Sequence, residues 1–308
     1  PPRSTLFPYT TLFRSLMLFN ASSALDQLTK AALDRLQKAK GDEVKDLVDL
    51  RLNMRTYMEK VLFGPQFDNI ALEYLFGTNV WLMGSLLELF APTGSLKTTF
   101  ALALTKKLIL DNGGLVTIID TEHKLNAVLA QGLIPEQQLA MLIVADCPAL
   151  DTALRVLTST LKLIKQQNSK KTPMLHAAIV DSIAAKMQST ADKQAAGDFD
   201  KDYSAEAYTL ARYIPSLIGM MQRAPFATVV INQERGKIGG IPSHTEQKKT
   251  LGGDAVPYHA TWRLRLHKVK EERLASRSFT EVELSVRKNT MGEGDRKSTR
   301  LNSSHRIR

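Results

Sequence analysis

The chain has 308 residues, 44% of them hydrophobic, enough to build one large domain with a small appendage. A single cysteine, Cys147, excludes an internal disulfide and any cysteine-based zinc site, and no apolar run reaches the roughly 18 residues of a membrane span. The formal net charge of +10 comes from 41 basic and 31 acidic residues, but it is unevenly spread and does not by itself indicate a nucleic-acid partner.

The unevenness lies at the two ends. Thr5 to Ser15 reads TLFPYTTLFRS and Asp295 to His305 reads DRKSTRLNSSH, and both strings look like in-frame translations of sequencing-library adapters. Residues 1–15 and 295–308 are therefore set outside the fold, with Met17 a candidate start. These segments hold Arg3, Arg14, Arg296, Lys297, Arg300, Arg306 and Arg308 against Asp295. Removing seven from 41 and one from 31 leaves 34 basic and 30 acidic residues, a net charge of +4. Only local clusters can then point to an anionic partner.

In chain order, Leu25, Leu28, Ala32 and Leu36 recur at helical spacing and predict an N-terminal helix that ends near Gly41. A mixed segment follows to about Gly84, with breaks expected at Gly64-Pro65 and Gly77. Residues 16–62 are read as an N-terminal helical segment and 63–294 as the core. From Leu86 onward, short apolar runs alternate with helical stretches. Strands are predicted at Leu86–Phe90, Leu115–Ile119, Met141–Val144, Ala177–Val180 and Thr228–Ile231, and helices near Thr98–Leu110, Asp151–Gln166 and Ala205–Gln222. Such alternation predicts an α/β fold with a mainly parallel central sheet covered on both faces. Trp262–Leu266 and Val282–Val286 alternate apolar and polar residues, as strands with one wetter face do. Trp81 and Trp262 are expected to be packing residues, Cys147 a small buried hydrophobe, and His123 structural.

The first strong strand runs into Ala91-Pro92-Thr93-Gly94-Ser95-Leu96-Lys97-Thr98-Thr99, where a helix begins. A phosphate-binding loop belongs at such a place: backbone N–H groups and the helix N-terminus hold phosphates, the lysine reaches the outer ones, and the following hydroxyl binds magnesium. The usual pattern has glycine where Ala91 and Leu96 stand. Asp120-Thr121-Glu122-His123 closes the second strand and Asp181-Ser182 the fourth. In an open α/β sheet these strand ends converge on one crevice.

Taken together, the order and spacing of APTGSLKTT, IDTEH, AAIVDS, VVINQ, KIGG and TLGGDA resemble the RecA recombinase family over roughly Phe63 to Thr290. The bulky residue before the loop lysine resembles its phage UvsX-type branch. The resemblance implies a RecA-type P-loop ATPase core that binds ATP and Mg²⁺, forms a helical homo-oligomer on single-stranded DNA through its N-terminal helix, and engages double-stranded DNA during strand exchange. It implies a cytoplasmic location, in a bacterium or a phage-infected cell, without a membrane partner. Lys97 would contact the β- and γ-phosphates, Thr98 would ligate Mg²⁺, and Asp181 would hold the metal's water shell. Glu122 would activate the attacking water, Gln233 would sense the γ-phosphate and couple it to the DNA loop, and Lys288 would act across the subunit interface. Thr290 replaces a second lysine of the family, and Asn126 and Leu129 stand where the family has acidic and aromatic base contacts, leaving Asn126 as the nucleotide contact there.

DNA contacts are implied in the glycine-rich stretch from Glu234 to Gly253. Arg235 and Lys237 would follow phosphates, Ile238 would wedge between base triplets, and Gly239, Lys248 and Lys249 would complete the loop. A second polar segment, Ser189 to Tyr203, is a further candidate. Two other readings remain: a non-hydrolysing ATP-binding mediator that joins a filament, suggested by Ala91, Leu96 and Thr290, and a helicase motor on the same core. Family members continue beyond the position of Thr290, so the strand ending near Lys288 is expected to lack a neighbour, and aggregation of this chain is expected with it.

Overall fold

The computed structural model describes residues 63–123, 125, 127–167, 174–185, 204–222, 224–235, 249–274 and 277–291, all within the unit from Val61 to Arg308. The helix expected at Leu25–Leu36, the segment Ser189–Tyr203, and Asn126, Lys237, Ile238, Gly239 and Lys248 lie outside these residues.

Strand β1 (Phe63–Gln66), helix α1 (Ile70–Phe76) and strand β2 (Val80–Leu82) come first. Then β3 (Leu86–Ala91) leads into α2 (Lys97–Leu108), β4 (Leu115–Asp120), α3 (Ala127–Leu133), α4 (Glu136–Leu139) and β5 (Leu142–Asp146). The chain continues through α5 (Leu150–Gln167), β6 (His176–Asp181), α6 (Ser204–Met221) and β7 (Phe226–Arg235). It closes with β8 (Lys249–Thr250), α7 (Ala255–His259), β9 (Trp262–Leu274) and β10 (Arg277–Asn289).

The sheet order is β10-β9-β3-β7-β6-β4-β5, with β8 attached to β7. The strands from β9 to β5 along this order are parallel, and β10 runs antiparallel to β9. Parallel neighbours need crossover helices, which is why the apolar runs alternate with helical stretches. β3 is buried at every position, as a strand covered on both faces must be. On one face, Leu87, Leu89, Ile118, Ile179 and Ile231 pack with Phe100, Leu104 and Leu108 of α2. On the other, Leu86, Ile119, Val180 and Val230 pack with Leu154, Leu157 and Leu161 of α5 and with Leu210, Ile214 and Leu217 of α6. Each leucine so buried contributes about 1.5–3 kcal/mol relative to leaving it in water. Cys147 is buried in this second core, and burial pushes its thiol pKa up.

Trp81 and Trp262 pack as expected, ring centroids 5.6 Å apart. Trp262 also meets Phe76 edge-on at 5.1 Å and donates its indole N–H to Phe76 O at 2.9 Å. This cluster fixes α1 and β2 to the sheet.

Two expectations need correction. Gly64-Pro65 is not a break but part of β1, which pairs with β2 through an irregular register. A two-stranded edge tolerates a proline without N–H, and Gly64 allows the strands to close up, since a Cβ there would stand 2.5 Å from Trp81 O. The glycine-rich stretch does not begin at Glu234, because β7 continues to Arg235. Glu234 and Arg235 pair with Thr250 and Lys249 of β8, so the two roots of the loop form a short antiparallel ladder.

His176, at the start of β6, is fully buried, stacked on Phe226 at 5.1 Å, and shares a hydrogen bond with Thr117 Oγ1 at 2.9 Å. Burial lowers its pKa to about 4. The unfolded chain therefore takes up this proton first as pH falls. The neutral ring's contribution is intact above the unfolded value near 6.5 and is lost progressively between there and about 4. A separation of that size is on the order of 3 kcal/mol. Urea unfolding is expected to show this loss between pH 6.5 and 4, and His176→Gln should remove that part of the slope. An unchanged slope would assign the acid lability elsewhere.

Candidate nucleotide site

The C-terminal ends of β3, β4, β6 and β7 meet on the α2 side of the sheet. In register, Ala91 stands opposite Gln233 and Asp120 opposite Asp181. The chain passes from β3 to the distant β4 and later returns to fill β6 and β7 between them, so a crevice opens above these ends.

The two residues that replace glycine in the loop behave differently. Ala91 is the last residue of β3 and is fully buried. Strand backbone suits any residue, and the missing glycine has no conformational consequence there. Leu96 has φ 56° and ψ 29°, the left-handed region, immediately before α2. That geometry is unfavourable by roughly 1–2 kcal/mol for an ordinary L-residue. The loop thus keeps the shape that a glycine would give, and its leucine side chain is exposed. Gly94, at φ 77°, has no atom within 4 Å of where its Cβ would be. Pro92 and Thr93 are exposed, Ser95 is buried, and Thr99 lies in the first turn of α2.

No side chain caps the start of α2. Its first N–H groups and the positive end of its dipole therefore face the loop, an arrangement suited to an anion. Lys97 lies back over the same loop, donating to Pro92 O at 2.9 Å and Ala91 O at 3.2 Å.

Thr98 Oγ1 donates to Asp181 Oδ2 at 2.5 Å. Burial raises the Asp181 pKa, the Thr98 hydrogen bond opposes the rise, and Glu122 and Asp120 add to it. The Thr98 hydroxyl and the Asp181 carboxylate are two oxygens of the kind that a hard cation such as Mg²⁺ takes, while among the described residues no cluster of three or more carboxylate, histidine or cysteine ligands is gathered. Such a cation would relieve the repulsion that Glu122 and Asp120 exert on Asp181.

Glu122 is held from the C-terminal ends of β6 and β7. Ser182 Oγ donates to its Oε1 at 2.8 Å and Gln233 Nε2 to the same oxygen at 2.7 Å. The turn that carries Glu122 is shaped by Asp120, whose carboxylate accepts from Glu122 N at 3.0 Å and Leu125 N at 2.8 Å. Thr121 Oγ1 donates to Ser182 O and accepts from Ser182 N, both at 2.7 Å. The positioning roles of Asp120, Thr121 and Ser182 were not legible as such in the sequence. Their only signal was adjacency to Glu122 and Asp181. His123 pairs with Asp146 at 2.5 Å, a contact outside this hydrogen-bond set.

Lys97, Thr98, Asp181, Glu122 and Gln233 are thus brought together. Lys288 is not. It lies on β10 opposite Arg263 and donates to Pro257 O at 3.1 Å and Tyr258 O at 2.5 Å, at the C-terminal end of α7. Burial lowers its pKa. Arg235 and Lys249 stand side by side in the ladder at the loop's roots.

A model of the RecA N-terminal domain matches residues 27–299 of the chain. The chain is similar to Protein RecA of Clostridium novyi (strain NT), 26% identical over 219 residues that cover 70% of this chain and 58% of that protein. It is 28% identical to Protein RecA of Borrelia turicatae (strain 91E135) over 207 residues, 66% and 52% of the two chains. Against Protein RecA of Anaplasma marginale (strain Florida) it is 28% identical over 240 residues, 78% and 60%. The chain spans little more than half the length of the relatives it matches.

Proposed function

Because this chain belongs to the RecA N-terminal domain family, we propose that it is an ATP-dependent DNA recombinase that assembles on single-stranded DNA, hydrolyses ATP, and pairs that strand with a homologous duplex. The observation that carries the reading is that two hydrogen-bonded pairs, Thr98 with Asp181 and Gln233 with Glu122, lie at the same end of the sheet as Lys97, which donates to the loop carbonyls of Ala91 and Pro92. Leu96 in the glycine position supports the UvsX-type branch.

In this reading ATP lies over residues 91–99, its outer phosphates against the first N–H groups of α2 and Lys97 Nζ. Thr98 and Asp181 would hold Mg²⁺, which would supply positive charge beside the phosphates. Glu122 accepts a proton from the attacking water as the new P–O bond forms. The bond between the γ-phosphorus and the bridging oxygen breaks, and ADP leaves with the electron pair. Protein catalysis of this step is mainly positioning and charge stabilisation. Ser182 and Gln233 supply the positioning by fixing the Glu122 carboxylate. Lys288, bonded to α7 within its own chain, is assigned to a neighbouring protomer's nucleotide.

Arg235, Lys237, Ile238, Gly239, Lys248 and Lys249 are assigned to DNA. Among the described residues no helix is long and apolar enough to cross a membrane, and the reading places the protein in the cytoplasm. The test is ATP hydrolysis with and without single-stranded DNA, together with the salt dependence of strand binding. Stimulation by the strand is expected. Changing Arg235 and Lys237 together to Ala should flatten the salt slope by roughly 0.7 for each phosphate no longer neutralised. A slope equal to wild type in the double variant would remove this loop from the DNA path.

A further inference from the structure

Residues 120–123 close β4 and are held from the strands on both sides of it. On the β6 side, Thr121 N donates to Asp181 O and Thr121 Oγ1 accepts from Ser182 N, both at 2.7 Å. On the β5 side, Cys147 N donates to Asp120 O at 2.9 Å, and His123 Nδ1 pairs with Asp146 Oδ1 at 2.5 Å. The Glu122 carboxylate is thus drawn toward β6 and β7 by Ser182 and Gln233. The ring of the very next residue is drawn the other way, toward β5.

His123 has φ 53°, and among the described residues only Leu96 shares a positive φ without being glycine. Left-handed backbone is unfavourable for a residue with a Cβ, although histidine adopts it more readily than most. The Asp120 carboxylate fixes the amide nitrogens of Glu122 and Leu125, at 3.0 and 2.8 Å. Those bonds hold the two ends of the turn and leave the dihedrals of His123 unset between them. Because the peptide is planar, a return of φ at 123 to negative values is taken up by ψ at Glu122 or by movement of its Cα. Both shift the Glu122 carboxylate relative to Ser182 and Gln233.

The His123 and Asp146 side chains are 53% and 72% exposed, and a pair so exposed adds little to overall stability. What it can do is choose between two backbone conformations of similar free energy. We infer that His123 is a positioning residue: its bond to Asp146 holds the turn in the left-handed conformation that presents Glu122 to the nucleotide site. The inference rests on the reading above, in which Glu122 is the base.

The test compares His123→Ala, Asp146→Ala, the double variant and His123→Asn. Asp146→Ala leaves the backbone bond from Cys147 N to Asp120 O in place, so it isolates the side-chain pair. Each alanine variant should slow single-turnover ATP hydrolysis about fivefold, equivalent to about 1 kcal/mol, the upper end for an exposed pair. The double variant should lose no more than either single one, as a shared interaction requires. Asparagine tolerates the left-handed region and can donate to Asp146, so His123→Asn should stay within about twofold of wild type. Affinity for a fluorescent ATP analogue should stay within about twofold in all four.

Wild-type rates in both alanine variants overturn the inference. So do additive losses in the double variant, since the two residues would then act separately. A loss in His123→Asn as large as in His123→Ala also overturns it, because the imidazole would then serve something other than the backbone. A parallel fall in nucleotide affinity does the same, as the pair would only support the fold. If the wild type hydrolyses no ATP, the proposed function fails. The turn is then judged by the carbon chemical shift of the Glu122 carboxylate, recorded without nucleotide. It should move in both alanine variants and hold in His123→Asn, and an unmoved signal throughout overturns the inference.

Discussion

Glu122→Gln is expected to bind ATP and to lose hydrolysis by a factor on the order of 10²–10⁴, the usual contribution of a positioned general base. The carboxamide has the same shape, and its oxygen can still accept from Ser182 Oγ and Gln233 Nε2, which bond to Glu122 Oε1 at 2.8 and 2.7 Å. The geometry of the crevice is therefore retained while the capacity to take a proton is removed. Replacing a carboxylate near Asp181 by a neutral group also relieves like-charge repulsion, because Glu122 is one of the groups that raise the Asp181 pKa. Nucleotide affinity should accordingly be unchanged or slightly higher. Single-turnover hydrolysis beside equilibrium binding separates the two effects. Wild-type turnover in the variant would remove Glu122 from the role of base and favour a non-hydrolysing member of the family.

The second large effect is expected for Lys97→Ala. This ammonium donates to Pro92 O and Ala91 O, carbonyls of the loop that water can take over. Its loss should leave folding nearly unaffected. Toward a triphosphate the lysine supplies a charged hydrogen bond, a class worth about 1.5–3 kcal/mol. Removing it corresponds to roughly 10–150-fold in affinity, enough to take binding out of the micromolar range. Titration with a fluorescent nucleotide measures it. An unaltered dissociation constant would move the site away from the 91–99 loop and take the ATPase reading with it.

The alternation of apolar runs and helical stretches was sufficient to place the sheet, α2, α5 and α6, because burial on both faces imposes its own period. It also led to the crevice, since the loop that carries Lys97 follows one strand and Asp120 and Asp181 close two others. Leu96 was legible as a departure from the glycine pattern, but its consequence was not. Only the backbone shows that position 96 keeps a left-handed conformation and that position 91 needs none. The expected break at Gly64-Pro65 failed because glycine and proline serve an edge ladder as readily as a turn. The loop expected from Glu234 was shortened because β8 supplies a partner that local composition cannot reveal.

Hydrophobic periodicity and residue type act over a few neighbours, so the elements and the chemistry at their ends could be read from the chain alone. Which side chains meet across strands far apart in the chain could not, because strand order settles that. Glu122 finds Gln233 across a separation of 111 residues, and Glu88 finds Asn232 and Arg263 across 144 and 175. A glutamate inside an apolar strand such as Leu86–Ala91 carries no local sign of its partners. Its full burial is tolerated only because the fold delivers an amide and a guanidinium to it, and the order of the strands, not proximity along the chain, makes that delivery.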